Sequence, residues 1–452
     1  MNLAAAVAAL FALAPQETDS ERLKRLEEQV RRQQEEIEKL KAASPPFTAS
    51  LTEGLRFRTP DGSVDLQLGG RFQQHLRVLL DRPEGSPRTQ PDTFYVRAAR
   101  LKMSGTFFSD YGFLVEGDFP SSSTGPTPTL QGAYVEWKKL REFRLQVGQF
   151  KVPISQERLR SRLFSDFVED SVLTRFVPGY DLGILAYGQL AGGAAGYQAA
   201  VVHGRSHLDN AGRSRHDDND EKEFAARVTL SPWAPDKEAF FLKGLRVGLA
   251  GTVTDVDDVT ISGTGATAFD LSTPELGVLF FDPAVSSGTL ALDGRRTRLG
   301  AELSWAVGPA CLRAEILARR DEMVNTGVRE DIPIRAWSAT LTWILTGEEK
   351  NPESRLVPAH PLGENGGWGA LEVAARLAGA EIDDRIENLG VLVAGHSLKV
   401  RSATVGLNWW PARNLRLSAD AVREEFGDDL DMGAGRTEDA FTGFLARFQI
   451  DF

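Results

Sequence analysis

From about residue 64 to the C-terminus, apolar and polar residues alternate one for one along most of this chain. In 71–80, Phe72, Leu76, Val78 and Leu80 oppose Arg71, Gln73, His75 and Arg77. In 298–305, Leu299, Ala301, Leu303 and Trp305 oppose Arg298, Glu302 and Ser304, and in 371–377, Leu371, Val373, Ala375 and Leu377 oppose Glu372 and Arg376. A period of two describes a strand whose faces meet different surroundings. The last strand, 440–452, sets Phe444, Phe448, Ile450 and Phe452 against Arg447, Gln449 and Asp451. An aromatic strand face at a chain end invites aggregation in water. Against lipid, with the polar face on a watery lumen, the same strand belongs in a transmembrane β-barrel.

One such strand would also suit an ordinary sandwich, so the number of strands and their connections decide. Sixteen are read, near 64–80, 94–108, 112–119, 129–138, 142–150, 182–190, 195–203, 223–232, 242–253, 295–307, 311–321, 333–345, 369–380, 398–410, 414–425 and 440–452. Their connections alternate in length. One series is short, at 109–111, 139–141, 192–194, 307–309 and 411–413, with 233–241 and 346–368 as exceptions. The other is mostly long, at 81–93, 151–181, 204–222, 254–294, 381–397 and 426–439. Soluble sandwiches have no reason to sort loop length by side, whereas outer-membrane barrels do. A charge on the lipid face at mid-bilayer costs roughly 2–4 kcal/mol, which gives the sorting of side chains its cause. The expected fold is an all-β transmembrane barrel of about 16 antiparallel strands.

Before residue 47 the pattern differs. Residues 1–14, MNLAAAVAALFALA, form a short apolar stretch ending in an A-x-A-like site and read as a signal peptide, with no basic residue ahead of the apolar run and with Pro15 just after it. In 21–41, Leu23, Leu26, Val30, Gln33, Ile37 and Leu40 alternate spacings of three and four, the seam of a short α-helical coiled coil. Such a length is marginal alone and needs the attached domain to hold copies together; a lone solvated helix is the other reading. The domain order is therefore signal peptide 1–14, periplasmic coiled coil and linker 15–46, and outer-membrane barrel 47–452, with both termini on the short-turn side.

The only cysteine, Cys311, excludes an intramolecular disulfide, and the net charge of −11 argues against a nucleic-acid partner. No apolar run reaches the ~18–20 residues of a spanning helix. The six histidines are scattered, with only His203, His207 and His216 at all close, and neither a G-x-S-x-G elbow nor a phosphate-cradling loop is present. No enzyme, metal site or cofactor is expected.

Several segments resemble, in order, the phosphate-selective porins O and P of bacterial outer membranes. They are Leu68-Gly69-Gly70-Arg71-Phe72, the stretch 96–105 (VRAARLKMSG), 147–159 (VGQFKVPISQERL), Pro178-Gly179-Tyr180-Asp181-Leu182-Gly183, Leu345-Thr346-Gly347-Glu348, Gly369-Ala370-Leu371-Glu372 and Gly406-Leu407-Asn408-Trp409-Trp410-Pro411. The resemblance covers about residues 50–452. It implies a 16-stranded barrel, assembly as homotrimers, a third loop folded into each pore and, in some homologues, an N-terminal coiled coil. The family's lumenal ladder of basic residues carries over to Arg71, Arg100 and the segment starting at Lys151.

The connection 151–181 is the natural infolding loop. It holds Lys151, Arg158, Arg160 and Arg162, and an extended backbone would put the three guanidinium groups on one side. An arginine fork donates two hydrogen bonds to two oxygens, which suits phosphate. Glu157, Asp166, Glu169 and Asp170 follow, so the loop is mixed in sign. With Arg71, Arg100 and Lys102 on the wall, these residues form the expected constriction and anion-binding set. Assigning alternate residues to the lumen leaves its wall net basic by about five charges, and rings of Arg and Lys favour anions. The expected function is a passive outer-membrane channel for small hydrophilic solutes with a modest preference for anions, phosphate or polyphosphate among them. Its expected partners are two further copies, lipid and the solutes. A second reading is a structural barrel that ties the outer membrane to a periplasmic partner through its coiled coil.

Overall fold

The computed structural model describes residues 19–43, 47–50, 54–80, 82–120, 128–204, 220–235, 241–261, 270–363 and 366–452. Residues 1–18 and 44–46, which include the expected signal peptide and part of the linker, lie outside the described residues, as do His207, His216 and most of the acidic run 216–221.

Sixteen strands form the barrel wall: β1 Val64–Leu80, β2 Thr93–Phe107, β3 Tyr111–Asp118, β4 Thr129–Trp137, β5 Arg144–Lys151, β6 Tyr180–Leu190, β7 Ala195–Val202, β8 Glu223–Leu230, β9 Leu245–Thr260, β10 Ala291–Val307, β11 Ala310–Asn325, β12 Val328–Ile344, β13 Ala370–Ile382, β14 Lys399–Ala412, β15 Leu415–Gly433 and β16 Arg436–Asp451. Each pairs antiparallel with the next, and β16 pairs with β1 from Thr442↔Leu80 to Asp451↔Arg71, which closes the barrel. The sixteen expected strands are the sixteen observed. No helix among the described residues is long and apolar enough to cross a membrane.

Burial is inverted relative to a soluble core. Leu299, Leu377 and Val405 are more than half exposed on the outer face, while Arg298, Arg376 and Glu372 are buried in the lumen. On β16, Phe444, Phe448 and Ile450 face out, and Arg447, Gln449 and Asp451 face in. This is the division expected between lipid and a filled lumen.

Three departures from the sequence reading have physical causes. First, the connection expected at 426–439 is a continuation of β15 and β16 closed by Ala434-Gly435, both at positive φ (54° and 72°). The strands β11 and β12 likewise run on to Thr326-Gly327, at φ 50° and 83°. Two positive φ values give the turn whose twist matches a hairpin. Above the membrane both strand faces meet polar surroundings, so the alternation that marks a spanning strand fades there. Second, the sheet gains a hairpin ahead of the barrel, Phe47–Ser50 with Gly54–Arg58. It pairs with β1 at Asp65–Leu68, below the point where the C-terminus leaves that edge uncovered. Third, 19–43 is a helix (α1, Asp19–Ala43) standing alone, with Leu23, Leu26, Val30 and Ile37 exposed; a coiled coil is not seen in the single chain.

The lumen is far from open. The connection after β9 turns inward, and Leu276, Phe280 and Phe281 pack against Leu292, Ile332, Val422, Phe426 and Phe441. Lumen-facing positions at the outer ends of β10 to β16 are accordingly apolar, and half the mouth is capped by a small hydrophobic core.

Candidate functional site

The connection between β5 and β6 folds into the barrel, and its local sequence explains its course. The apolar stem Phe150 and Val152 packs on Leu185, Ala200, Val202 and Ala225 of the wall. Ser155 then caps one helical turn, Gln156–Leu159, accepting from the Arg158 N–H at 3.2 Å. Ser161 caps a short 3-10 turn, Arg162–Phe164, in the same way.

Polar anchors fix the loop on three sides. Gln156 Nε2 donates to the carbonyls of Leu303 and Ala314 at 3.1 and 2.7 Å, reaching β10 and β11. The Val168 N–H donates to Asp420 Oδ2 at 2.6 Å, and Asn408 Nδ2 to the Asp166 carbonyl at 2.7 Å, reaching β15 and β14. Glu169 accepts from Arg97 Nε at 2.9 Å and from the Tyr95 hydroxyl at 3.1 Å, with His75 Nδ1 at 3.0 Å, reaching β1 and β2. Burial opposes ionisation of Glu169, but Arg97 and His75 outweigh it and hold the carboxyl well below its usual range. A loop pinned this way cannot swing out of the lumen without exposing several buried charges.

The seven expected site residues divide. Lys151 lies at the end of β5, its Nζ donating to the carbonyls of Leu159 and Arg160 at 3.2 and 2.6 Å and standing 5.7 Å from the Tyr180 ring centre. Arg158, Arg100 and Arg71 are close enough to repel its ammonium. Arg158 is half-buried, with Asp170 at 3.8 Å as its ion-pair partner. Arg71 is buried and sits opposite Arg100 in the β1–β2 register; its Nε meets no acceptor among the described residues. Arg100 is tied to Asp118 at 2.7 Å and to Glu116. Lys102 is exposed on β2, two residues farther from the outer mouth. These five share one side of the barrel.

Arg160 does not join them, whereas Arg162 shares the Asp170 carboxylate with Arg158. The helical turn breaks the extended geometry that would have aligned three guanidinium groups. Arg160 is buried and donates to Asp166 at 3.1 Å, to the Pro352 carbonyl at 2.9 Å and to the Phe164 carbonyl. Arg162 is ion-paired with Asp170 and stands 3.8 Å from Glu169.

Five contributors escaped the sequence reading. Arg97 reaches the lumen because a bulge opposite Gln73 and Gln74 switches the side-chain parity of β2. The signal is in the sequence: Phe94 is apolar at an even position and Leu101 at an odd one, and both face out, at 69% and 54% exposure. Arg175, on the returning limb of the loop, is exposed, with Arg158, Arg97 and Arg77 repelling its charge and Glu169 attracting it. Lys350 comes from the connection between β12 and β13, whose residues 349–356 insert into the barrel, and bridges Asp166 at 2.8 Å to Glu372. Burial pushes its ammonium down to about 8. Finally, Glu223 and Asp321, at strand ends left out of the parity assignment, neutralise Arg298, Arg296 and Arg319 and narrow the basic excess.

Comparison with known proteins agrees with this architecture. The family model of phosphate-selective porin O and P matches residues 67–452. Porin O of Pseudomonas aeruginosa is 26% identical over 429 residues, covering 88% of this chain and 91% of that protein. Among solved structures, the outer membrane channel DcaP of Acinetobacter baumannii superposes with a TM-score of 0.53 at 13% identity, over 87% of this chain and 99% of that one. The anion-selective porin from Comamonas acidovorans gives 0.51 at 13% identity, over 86% and 100%. At these identities the two structures speak for the fold alone.

Proposed function

The chain belongs to the phosphate-selective porin O and P family, and from that premise we propose that its pore favours small anions, phosphate among them, over cations. The protein is a porin of the bacterial outer membrane, a passive channel rather than an enzyme. The observation that carries the anion reading is the convergence of Lys151, Arg158, Arg71 and Arg100 on one side of the inserted loop, with Arg175 and Arg97 continuing the basic line toward the mouth. Lys151 and Arg158 serve as the donors at the narrowest passage. Arg71, Arg100 and Lys102 continue the path along the wall toward the periplasm. Arg160 acts as a positioning residue, and Arg162 shares the Asp170 carboxylate with Arg158. Because Glu116 and Asp118 hold Arg100, the preference is modest. Acidic outer loops oppose entry, but their field is screened within about 8–10 Å at physiological salt.

The assembly is a homotrimer in this reading. The wall is low from β3 to β8, where β3, β5, β7 and β8 have eight residues each, fewer than the ~9–11 of a strand that faces lipid across the whole bilayer. A neighbouring barrel covers such a wall better than lipid does. Three α1 helices brought together on the periplasmic side then bury Leu23, Leu26, Val30 and Ile37 in a coiled coil, with 1–14 as the export signal. Planar-bilayer recording tests the function: stepwise chloride conductance that inorganic phosphate reduces is expected. A folded protein that inserts without conducting, or whose current phosphate leaves unchanged, overturns it. Deleting residues 19–43 keeps the conductance if the channel reading holds.

A further inference from the structure

We infer that a pocket behind the tip of the inserted loop holds one small inorganic oxyanion, which joins that tip to the inserted periplasmic connection. The pocket is a cavity of about 30 Å³ bounded by Leu163 and Phe164 of the loop tip, by residues 349–356 of the connection, and by the wall from Trp410 to Arg416 with Gln449 and Asp451. A single water needs about 10–15 Å³ on this measure, so the space exceeds one water. None of the constriction cations lines it.

Its chemistry is basic and incompletely satisfied. Arg416 is 1% exposed, lies 4.8 Å over the Trp410 ring and donates through Nη2 to Asn408 Oδ1 at 2.7 Å. Its Nε and Nη1 meet no acceptor among the described residues. A buried guanidinium with two idle donors is costly unless an acceptor serves them. Arg413 adds a second positive charge, close enough to Arg355 to repel it. Of the nearby carboxylates, Asp451 accepts from Arg355 and Glu372 from Lys350 and Asn408, while Asp420 accepts from the Val168 N–H through Oδ2 and keeps an Oδ1 without a partner among the described residues. Glu349 also lines the pocket and offsets one charge of the remainder. A tetrahedral oxyanion supplies oxygens to Arg416 and Arg413 together, which a planar fork binds well. The inference stands whether or not the pore prefers anions.

The test uses the full chain folded in detergent in a gluconate buffer, with inorganic phosphate as the probe. Phosphate is expected to raise the unfolding temperature saturably and to slow hydrogen exchange in 349–356. Arg413→Gln, at an exposed position that does not threaten the fold, and Arg416→Gln are each expected to weaken the phosphate midpoint about tenfold or more. Arg158→Gln is expected to leave it in place. If phosphate has no effect, if Arg413→Gln and Arg416→Gln titrate like the parent, or if Arg158→Gln alone abolishes the effect, the site does not exist as described.

Discussion

Arg158 and Arg160 stand two positions apart and do different work, because one helical turn sends them to opposite sides of the loop. Arg158 keeps a partly exposed guanidinium beside Lys151, whereas Arg160 is locked to Asp166. Removing one unit charge about 5 Å from a passing ion is worth on the order of 0.8 kcal/mol even at the dielectric of water, roughly a fourfold change in occupancy. Lys151→Gln and Arg158→Gln together should therefore lower the anion-to-cation permeability ratio at least about fourfold, read from reversal potentials in a salt gradient. Arg160→Gln should leave that ratio near the parent value while making single-channel current noisier, since its loss frees the loop rather than the path. Asp166→Ala is the severe change. It leaves Arg160, Arg313 and Lys350 without their shared carboxylate, and breaking a buried pair costs about 3–5 kcal/mol, so the folded barrel should melt at clearly lower temperature in detergent. At this scale the sequence was only partly legible. Alternation puts Arg71 and Arg100 on the lumenal face, where they sit opposite each other, but it lost Arg97 at a bulge. Spacing alone could not foresee that Ser155 would cap a turn and separate Arg158 from Arg160.

Loop length was the most legible property of the elements, and its failures are instructive. The infolding connection was recognisable because it is long and rich in charge, and the structure places it in the lumen. The connection 345–369 stood out as an exception to the short-turn series, and insertion explains its length: it carries Lys350 to Asp166 and Arg355 to Asp451. The extensions of β15 and β16 were hidden because charged residues on both faces read as a loop. The capping segment after β9 has a testable pH dependence. Burial first, and then neighbouring Asp282, which shares a hydrogen bond with it, raise the Asp270 carboxyl from 3.8 to about 6. The folded state thus binds a proton more tightly than the unfolded one between those values, so the segment's stability is greatest at the acid end and falls as pH rises through about 6. Hydrogen-exchange protection in 270–282, taken relative to the intrinsic amide rate at each pH, should fall between pH 4.5 and 6.5, and Asp270→Asn should flatten that change. Equal protection at both pH values would mean that the pair does not load the segment.

Taken whole, the molecule carries a net charge of −11 around a basic passage. The cations converge locally beside the inserted loop, although among the buried side chains carboxylates outnumber arginines. The proposed trimer rests on the low wall of β3 to β8: native mass measurement in mild detergent should give three chains, and monomers alone would remove the account of α1 as a coiled coil. The central claim is that the lumenal cations, not the overall charge, set selectivity. The zero-current potential of the parent channel across a tenfold potassium chloride gradient measures this directly. The account predicts the sign of a channel more permeable to chloride than to potassium. A potential of the opposite sign would contradict it.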